Sequence, residues 1–348
     1  MMLRLMGIFS LAFVETAVER ARRGPARPSW GFGFEWVVRA LRRDFIDMLG
    51  WPYPRMRADM DARFYPEKAV RRVKRTSDTL RGIPAVWFEP PGAMDRGVVL
   101  YFHGGSYLFG STKTHADMMA RLALASGARV VGIDYRLGPE HRYPAQLDDA
   151  LAAFDALVER GHAPGEIALA GDSAGGNLAL VAQLALRDRG EQARCAALIS
   201  PWLDLTSSSA STRANEPTDY GTTEGLLRQA RDFAGAIPLD DARLSPLHAR
   251  LDGLAPLFIQ VGDAERLHDE GLELARRARE ACVDVTLDVL RDMPHNGPVL
   301  AEYHPEGARG AETLGSYLRA CLSSGAAQAA RPRESSLRPG DGESARRA

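Results

Sequence analysis

The middle of the chain contains Gly171-Asp172-Ser173-Ala174-Gly175-Gly176, the stretch that decides the fold. It follows an apolar run, residues 166–170, and precedes a run with the character of a helix, residues 177–186. This order predicts a strand, a tight turn and a helix, with a serine at the turn. Flanking glycines leave room for a strained backbone, and Gly-x-Ser-x-Gly in this context is typical of a nucleophile elbow. The alternative is a glycine-rich connection with an incidental serine, because short patterns recur by chance.

Composition and charge are those of an ordinary globular protein. Of 348 residues 45% are hydrophobic, and 44 basic against 45 acidic side chains give a formal net charge of −1. We therefore predict no nucleic-acid partner. The three cysteines are widely spaced and form no Cys-x-x-Cys pair, so neither a disulfide framework nor a zinc site is predicted, and a reducing cytoplasm fits best. No sequence run reaches the roughly 18 apolar residues of a membrane-spanning helix.

Helical patterns precede the first strand. Residues 5–21 and 33–48 have apolar side chains at helical spacing, which predicts a helical cap formed by residues 1–68. The apolar segment 5–14 is short and leads directly into charged residues without a cleavage site. We interpret it as part of an amphipathic helix that covers an apolar surface, rather than a signal peptide or an anchor.

Strand and helix patterns alternate over residues 69–322. Strands are predicted near 85–88, 98–102, 129–134, 166–170, 256–261 and 285–290, and helices near 113–125, 146–160, 175–189, 266–281 and 298–322. This alternation predicts an α/β fold, a mostly parallel twisted sheet with helices on both faces. A polar insertion, residues 206–240 with one helix near 224–234, is predicted to complete the cap. The tail, residues 323–348, lacks large apolar residues and is predicted to be disordered.

A serine hydroxyl becomes a nucleophile only with a base within hydrogen-bond reach and an acid that orients the base. In this type of fold the order along the chain is serine, then Asp or Glu, then histidine, each after a strand. His295 follows the strand predicted at 285–290 and is the candidate base; the alternative is a surface-loop histidine. Three carboxylates after the preceding strand are candidates for the acid: Asp263, Glu265 and Asp269.

A glycine-rich loop follows the strand predicted at 98–102. His103-Gly104-Gly105-Ser106 has the form of a loop whose backbone amides bind the oxyanion of acyl transfer. We predict the amides of Gly104 and Gly105 as donors, together with that of Ala174 at the start of the helix after Ser173. The alternative, a phosphate-binding loop, is weak because no Lys-Ser/Thr follows.

Taken together, several segments resemble the bacterial hormone-sensitive-lipase-like esterases, which have the α/β-hydrolase fold. The segments are His103-Gly104-Gly105, Asp134-Tyr135-Arg136-Leu137-Gly138-Pro139-Glu140, Tyr143-Pro144-Ala145, Gly171–Gly176, Ser200-Pro201-Trp202, Ser245-Pro246-Leu247 and Asp292-Met293-Pro294-His295. The resemblance implies Ser173 as nucleophile, His295 as base and Glu265, rather than the other two carboxylates, as acid. It also implies a lid formed by the N-terminal helices and the insertion.

The chain departs from the family pattern at two positions. Ser106 stands where relatives have a third glycine, and Asn296 follows His295 where relatives usually have an apolar or aromatic residue. Both departures concern the pocket, and hence the substrate preference.

The hypothesis is therefore a serine carboxylesterase that hydrolyses short- to medium-chain carboxylic esters through an acyl-enzyme. No cofactor and no metal is predicted, the partner is a small-molecule ester, stable membrane insertion is not expected, and a homodimer is compatible with the sequence. Within enzymes the alternative is a lactonase, deacetylase or amide hydrolase on the same triad. Outside that class the alternatives are a non-catalytic ligand receptor and a membrane-attached lipase that uses residues 1–20.

Overall fold

The computed structural model of the chain describes residues 2–63, 65 and 67–329. Its strands are β1 (Lys74–Leu80), β2 (Ile83–Glu89), β3 (Val98–Phe102), β4 (Arg129–Ile133), β5 (Ile167–Asp172), β6 (Ala196–Ile199), β7 (Leu257–Gly262) and β8 (Val285–Leu290). Its α-helices are α1 (Met2–Arg23), α2 (Phe32–Met48), α3 (Tyr53–Asp61), α4 (Ala116–Ser126), α5 (Ala145–Glu159), α6 (Ala174–Asp188), α7 (Ala210–Ala214), α8 (Thr223–Ala234), α9 (His268–Glu280) and α10 (Pro305–Ala329).

The eight strands form one sheet in the order β1-β2-β4-β3-β5-β6-β7-β8. β2 is antiparallel to β1 and to β4, whereas all pairs from β4 to β8 are parallel. This confirms the predicted mostly parallel α/β sheet. Because the carboxyl ends of parallel strands meet at one edge, the loops after β3, β5, β7 and β8 lie close together there.

Helices cover both faces of the sheet, which explains the continuous apolar runs in its central strands. Every residue of β3, β5, β6 and β7 is buried. The apolar core on one face includes α5, α6 and α9, and the core on the other includes α4 and α10. A strand buried on both faces has no polar side to alternate with, so its sequence is apolar throughout.

Several elements lack a counterpart among the predicted ones, and β6 and α3 show why. β6 has only four residues, Ala-Ala-Leu-Ile, too few to separate a buried strand from a helix turn by pattern. α3 begins directly after Trp51-Pro52, and Pro54 occupies its first turn. Proline is tolerated there because the first amides of a helix have no intrahelical acceptor. Pro52 and Pro54 therefore lie at the start of a helix.

The two ends of the chain differ from expectation. α10 continues to Ala329, so the predicted disordered tail does not begin at residue 323; residues 330–348 lie outside the described part of the chain. α1 packs on α2, where Trp36 Nε1 donates to Phe9 O at 2.8 Å. Much of its apolar surface nevertheless stays exposed, including Leu3 at 85% and Val14 at 59%. Among the described residues no helix is long and apolar enough to cross a membrane.

The turn between β5 and α6 is packed without spare room. A Cβ on Gly171 would overlap the backbone of Gly175, and a Cβ on Gly175 would overlap the carbonyl groups of Phe102 and His103. The helix therefore starts in direct backbone contact with β3 and with the loop after it. Only glycine permits this approach, which explains the spacing of the motif.

We expect Gly175→Ala to lower the free energy of unfolding by about 2 kcal/mol or more, because the added methyl group forces apart two backbone segments. Chemical denaturation measures this change. The matched control is Gly165→Ala, where a Cβ would meet nothing within 4 Å. If both variants unfold at the wild-type denaturant concentration, the turn is not as closely packed as the structure indicates.

Candidate active site

Ser173 occupies the turn between β5 and α6 with φ 56° and ψ −119°. A positive φ is unfavourable for a residue with a side chain and persists only where the surroundings enforce it. Hydrogen bonds hold the backbone on both sides. The Ser173 N–H donates to Ile199 O at 2.8 Å, and its carbonyl accepts from Asn177 N at 3.0 Å and Trp202 N at 3.1 Å. The hydroxyl is thereby placed at the carboxyl edge of the sheet.

A cavity of about 270 Å³ lies over this edge. Ser173 and His295 both line it, as do Gly105 and Ser106 of the glycine-rich loop. Further lining residues lie near 109–118, 266–267 and 296–300. The N-terminal helices and the insertion contribute Leu41, Asp44, Phe45, Met48, Met60, Arg63, Asp219, Tyr220, Leu226 and Gln229. The cavity is mainly apolar. Its ionic side chains include two salt-bridged pairs, Arg63 with Asp44 at 2.5 Å and Arg266 with Asp219 at 3.4 Å.

His295 lies beside Glu265, with 3.7 Å between His295 Nδ1 and Glu265 Oε2. This is an ion-pair contact, longer than a hydrogen bond. Glu265 is fully buried, and its Oε2 accepts a hydrogen bond of 2.5 Å from Ser200 Oγ. A second carboxylate, Asp219, accepts a hydrogen bond of 3.0 Å from the backbone N–H of His295. Burial alone would lower the pKa of His295, but Glu265 and Asp219 outweigh it and raise the pKa above the usual value.

The other two candidate acids are engaged elsewhere. Asp263 Oδ1 accepts the Asp292 N–H at 2.6 Å, and Asp269 Oδ2 accepts the Ser211 N–H at 2.8 Å. Of the three carboxylates that the sequence left open, the structure brings only Glu265 to the His295 ring. Within the described residues, no hydrogen bond joins Ser173 Oγ to His295, although the two side chains share the cavity.

The glycine-rich loop requires one correction. The Gly104 amide donates to Asp172 Oδ1 at 3.0 Å and is therefore not available to a substrate oxyanion, contrary to prediction. The amides of Gly105, Ser106 and Ala174 donate no hydrogen bond within the described part of the chain. Ser106 has φ 52°, and its hydroxyl donates to Gln229 Oε1 of α8 at 2.8 Å. The serine in place of a third glycine thus connects the loop to the cap.

Asp172, the last residue of β5, is a completely buried carboxylate with four polar neighbours. Its Oδ1 accepts from Tyr101 Oη at 2.6 Å and from Gly104 N; its Oδ2 accepts from Asn296 Nδ2 at 2.7 Å and lies 3.3 Å from His115 Nε2. Burial alone would raise the pKa of Asp172, but His115 and the hydrogen bonds outweigh it and hold the pKa at about 2. Asp172 is therefore an ionised anchor for the loops around Ser173.

His103 has a structural position. It is buried, stacks on Tyr135 at 4.3 Å between ring centroids, and places Nδ1 2.7 Å from Gly104 O. Burial, together with the nearby His115, lowers the pKa of His103 to about 3. Tyr135 Oη in turn donates to His103 O at 2.6 Å. The imidazole of His103 and the side chain of Tyr135 together hold the start of the glycine-rich loop.

The insertion wraps the loop that carries Glu265. Asn215 Nδ2 donates to Glu265 O at 2.9 Å, and Asp219 Oδ2 accepts the Arg266 N–H at 2.8 Å. Arg42 of α2 donates to the carbonyls of residues 216, 219 and 221. Sequence reasoning missed Asp219 and Asn215, because neither belongs to a motif and both approach the site only through tertiary packing. Ser200 belongs to the motif Ser200-Pro201-Trp202, but the sequence did not predict its contact with Glu265.

Comparison with known proteins identifies the fold and the family. A family model described as alpha/beta hydrolase fold matches residues 99–298. An acetyl-hydrolase of Streptomyces hygroscopicus is 40% identical over 246 residues, which are 69% of this chain and 81% of that protein. A carboxylesterase of Mycobacterium tuberculosis is 35% identical over 245 residues, which are 66% of this chain and 76% of that protein. The crystal structure of an esterase from the bacterial hormone-sensitive lipase family is similar with a TM-score of 0.72 at 34% identity, covering 91% of this chain and 98% of that one.

We expect Glu265→Gln to lower the pKa of His295, because the substitution removes the nearest negative charge that raises it. NMR titration of the imidazole protons measures this pKa, with the His295 resonance assigned by its loss in His295→Gln. The control is Glu273→Gln, which removes an equal charge from the exposed pair with Arg276. An unchanged His295 pKa in Glu265→Gln would show that Glu265 does not act on the ring.

Proposed function

The chain belongs to the bacterial hormone-sensitive lipase family of the α/β-hydrolase fold and is a carboxylic ester hydrolase, and from this premise we propose that it is a serine carboxylesterase with the triad Ser173, Glu265 and His295. One observation carries the proposal. Ser173 and His295 line the same cavity. Ser173 lies on a turn with positive φ, and His295 lies beside a buried carboxylate.

In the first step His295 accepts the proton of Ser173 Oγ as the oxygen attacks the ester carbonyl carbon. The carbonyl π electrons move to the oxygen, and a tetrahedral intermediate forms with a negative charge on that atom. The intermediate collapses, the bond from the carbonyl carbon to the alcohol oxygen breaks, and His295 returns the proton to the leaving alcohol. An acyl group remains on Ser173.

Hydrolysis of the acyl-enzyme repeats these steps with water. His295 takes a proton from water, the oxygen attacks the acyl carbon, and the proton returns to Ser173 Oγ as the carboxylic acid leaves. Glu265 stabilises the imidazolium that forms in both halves of the reaction. Because Ser200 already donates to Glu265 Oε2, the carboxylate is held in place while its charge remains directed toward the ring.

The oxyanion is bound by the backbone amides that have no other acceptor. We assign this role to Gly105 and Ala174, as predicted, and to Ser106 in place of Gly104. Ala174 is the first residue of α6, so its amide also carries the positive end of the helix dipole. Loss of one such donor in characterised enzymes costs roughly 3 kcal/mol of transition-state stabilisation.

The cavity supports small neutral esters as substrates. Its apolar lining favours an acyl or alkyl group, and the charged pairs in its wall, Arg63 with Asp44 and Arg266 with Asp219, are each internally neutralised. A volume of about 270 Å³ lies below the range typical of sites for drug-sized ligands. We therefore propose short- to medium-chain esters. We also propose a cytoplasmic location, because the three cysteines are widely spaced in sequence and form no Cys-x-x-Cys pair.

We expect Ser173→Ala to reduce kcat by roughly 10⁴–10⁶-fold, because the variant lacks the attacking oxygen. The measurement is hydrolysis of p-nitrophenyl esters from acetyl to dodecanoyl, with circular dichroism to show that the variant is folded. For the wild type we expect kcat/KM to peak at a short or medium acyl chain.

The control is Ser10→Ala, which removes an exposed hydroxyl from α1 and should leave the whole series unchanged. Activity of Ser173→Ala within tenfold of the wild type would disprove the nucleophile. A peak at dodecanoyl would disprove the proposed chain length and leave the triad standing.

A further inference from the structure

Asn296, directly after His295, adopts the left-handed backbone conformation with φ 56° and ψ 48°. Outside glycine, this region is visited mainly by Asn and Asp. In this conformation the backbone and the side chain of Asn296 donate to two different residues. The Asn296 N–H donates to Ser200 Oγ at 3.0 Å, and its side-chain Nδ2 donates to Asp172 Oδ2 at 2.7 Å.

These two hydrogen bonds reach the segments that carry the other two members of the triad. Asp172 is covalently joined to Ser173, so the side chain of Asn296 ties the histidine loop to the nucleophile. Ser200 Oγ donates to Glu265 Oε2 at 2.5 Å, so the backbone of Asn296 ties the same loop to the acid. Hydrogen bonds of Asn296 thus reach the Ser173 loop directly, through Asp172, and the Glu265 loop through Ser200.

Asp172, which accepts from the side chain of Asn296, is itself held in place by other hydrogen bonds. Asp172 is completely buried and ionised, and its other oxygen is held by Tyr101 and by the Gly104 amide. A carboxylate in this position requires donors. An amide side chain supplies one without adding charge, whereas a carboxylate at position 296 would put two like charges in contact.

We propose that Asn296 is a positioning residue, which fixes the separation between the imidazole of His295 and the hydroxyl of Ser173. This inference rests on the proposed function, because it assigns a role within that reaction. Proton transfer from Ser173 to His295 depends on a hydrogen bond that forms in the substrate complex, and a shift of about 1 Å in such a pair costs on the order of 100-fold in rate. Asn296 itself lines the cavity, but its Nδ2 is bound to Asp172, and contact of the ester with the apolar walls does not depend on this separation.

The test compares the wild type with Asn296→Gly and Asn296→Asp. Glycine keeps the left-handed backbone and the N–H bond to Ser200 but removes the amide, and Asp keeps the shape but replaces the donor by an acceptor. The matched control is Cys282→Gly, which introduces glycine at an exposed position with φ 59°. The measurements are kcat and KM for p-nitrophenyl butyrate, the rate of inactivation by a fluorophosphonate, and the thermal midpoint.

For Asn296→Gly we expect kcat and the inactivation rate to fall together by about 10- to 100-fold, with KM within about threefold and the thermal midpoint close to that of Cys282→Gly. Asn296→Asp should be at least as impaired. Wild-type kcat in Asn296→Gly, or a loss that follows unfolding in both variants, overturns the positioning role.

Failure of the proposed function gives a different result. If the wild type neither hydrolyses the ester nor reacts with the fluorophosphonate at Ser173, the triad is wrong and this inference falls with it. An active wild type together with an equally active Asn296→Gly overturns only the role of Asn296.

Discussion

The contact between the start of α6 and the end of β3 is the constraint on which the site depends. With no side chain on Gly171 or Gly175, the helix begins against the backbone of Phe102 and His103. This contact, together with the hydrogen bonds from Ser173 N and to Ser173 O, enforces a positive φ at the serine. It also brings the loop after β3 next to the first amide of α6. One packing contact therefore positions both the proposed nucleophile, Ser173, and the amides proposed to bind the oxyanion.

Buried charge around this turn is arranged in two ways. Asp172 is surrounded by donors, which hold its pKa at about 2, so it is a fixed anion that organises three loops. Glu265 has one oxygen bound by Ser200 and lies 3.7 Å from His295, so its charge acts on a group that changes protonation during the proposed reaction. The number of donors thus distinguishes Asp172, the anchor, from Glu265, the proposed catalytic acid, although both side chains are fully buried.

The sheet, its order of strands and helices, and the position of Ser173 follow from sequence because each rests on a local pattern. Apolar runs identify doubly covered strands, and the glycine spacing identifies the turn. The choice of Glu265 among three neighbouring carboxylates came only from resemblance, since spacing does not say which one faces the histidine. The direction of the Gly104 amide was predicted wrongly, because a peptide orientation depends on the φ and ψ of its loop. Asp219 was missed for a related reason: residues of the insertion reach His295 through long-range contacts with no signature in sequence.

The cap illustrates a further limit of sequence reasoning. Arg42 of α2 donates to three carbonyls of the insertion, and Ser106 of the glycine-rich loop bonds to Gln229 of α8. Each pair joins segments more than 120 residues apart, and neither partner is unusual in its own segment. The cavity walls, and with them the substrate preference, are therefore set by pairings that become visible only in three dimensions.

The most direct test of the account is to trap the acyl-enzyme. The protein is mixed with p-nitrophenyl butyrate, quenched in acid within its first turnovers, digested, and analysed by mass spectrometry. We predict a butyryl group on the peptide that contains Ser173, formed with a burst of p-nitrophenol and absent from Ser173→Ala. A butyryl group on another residue, or rapid turnover by the wild type with no acylated peptide and no burst, would contradict the proposed mechanism.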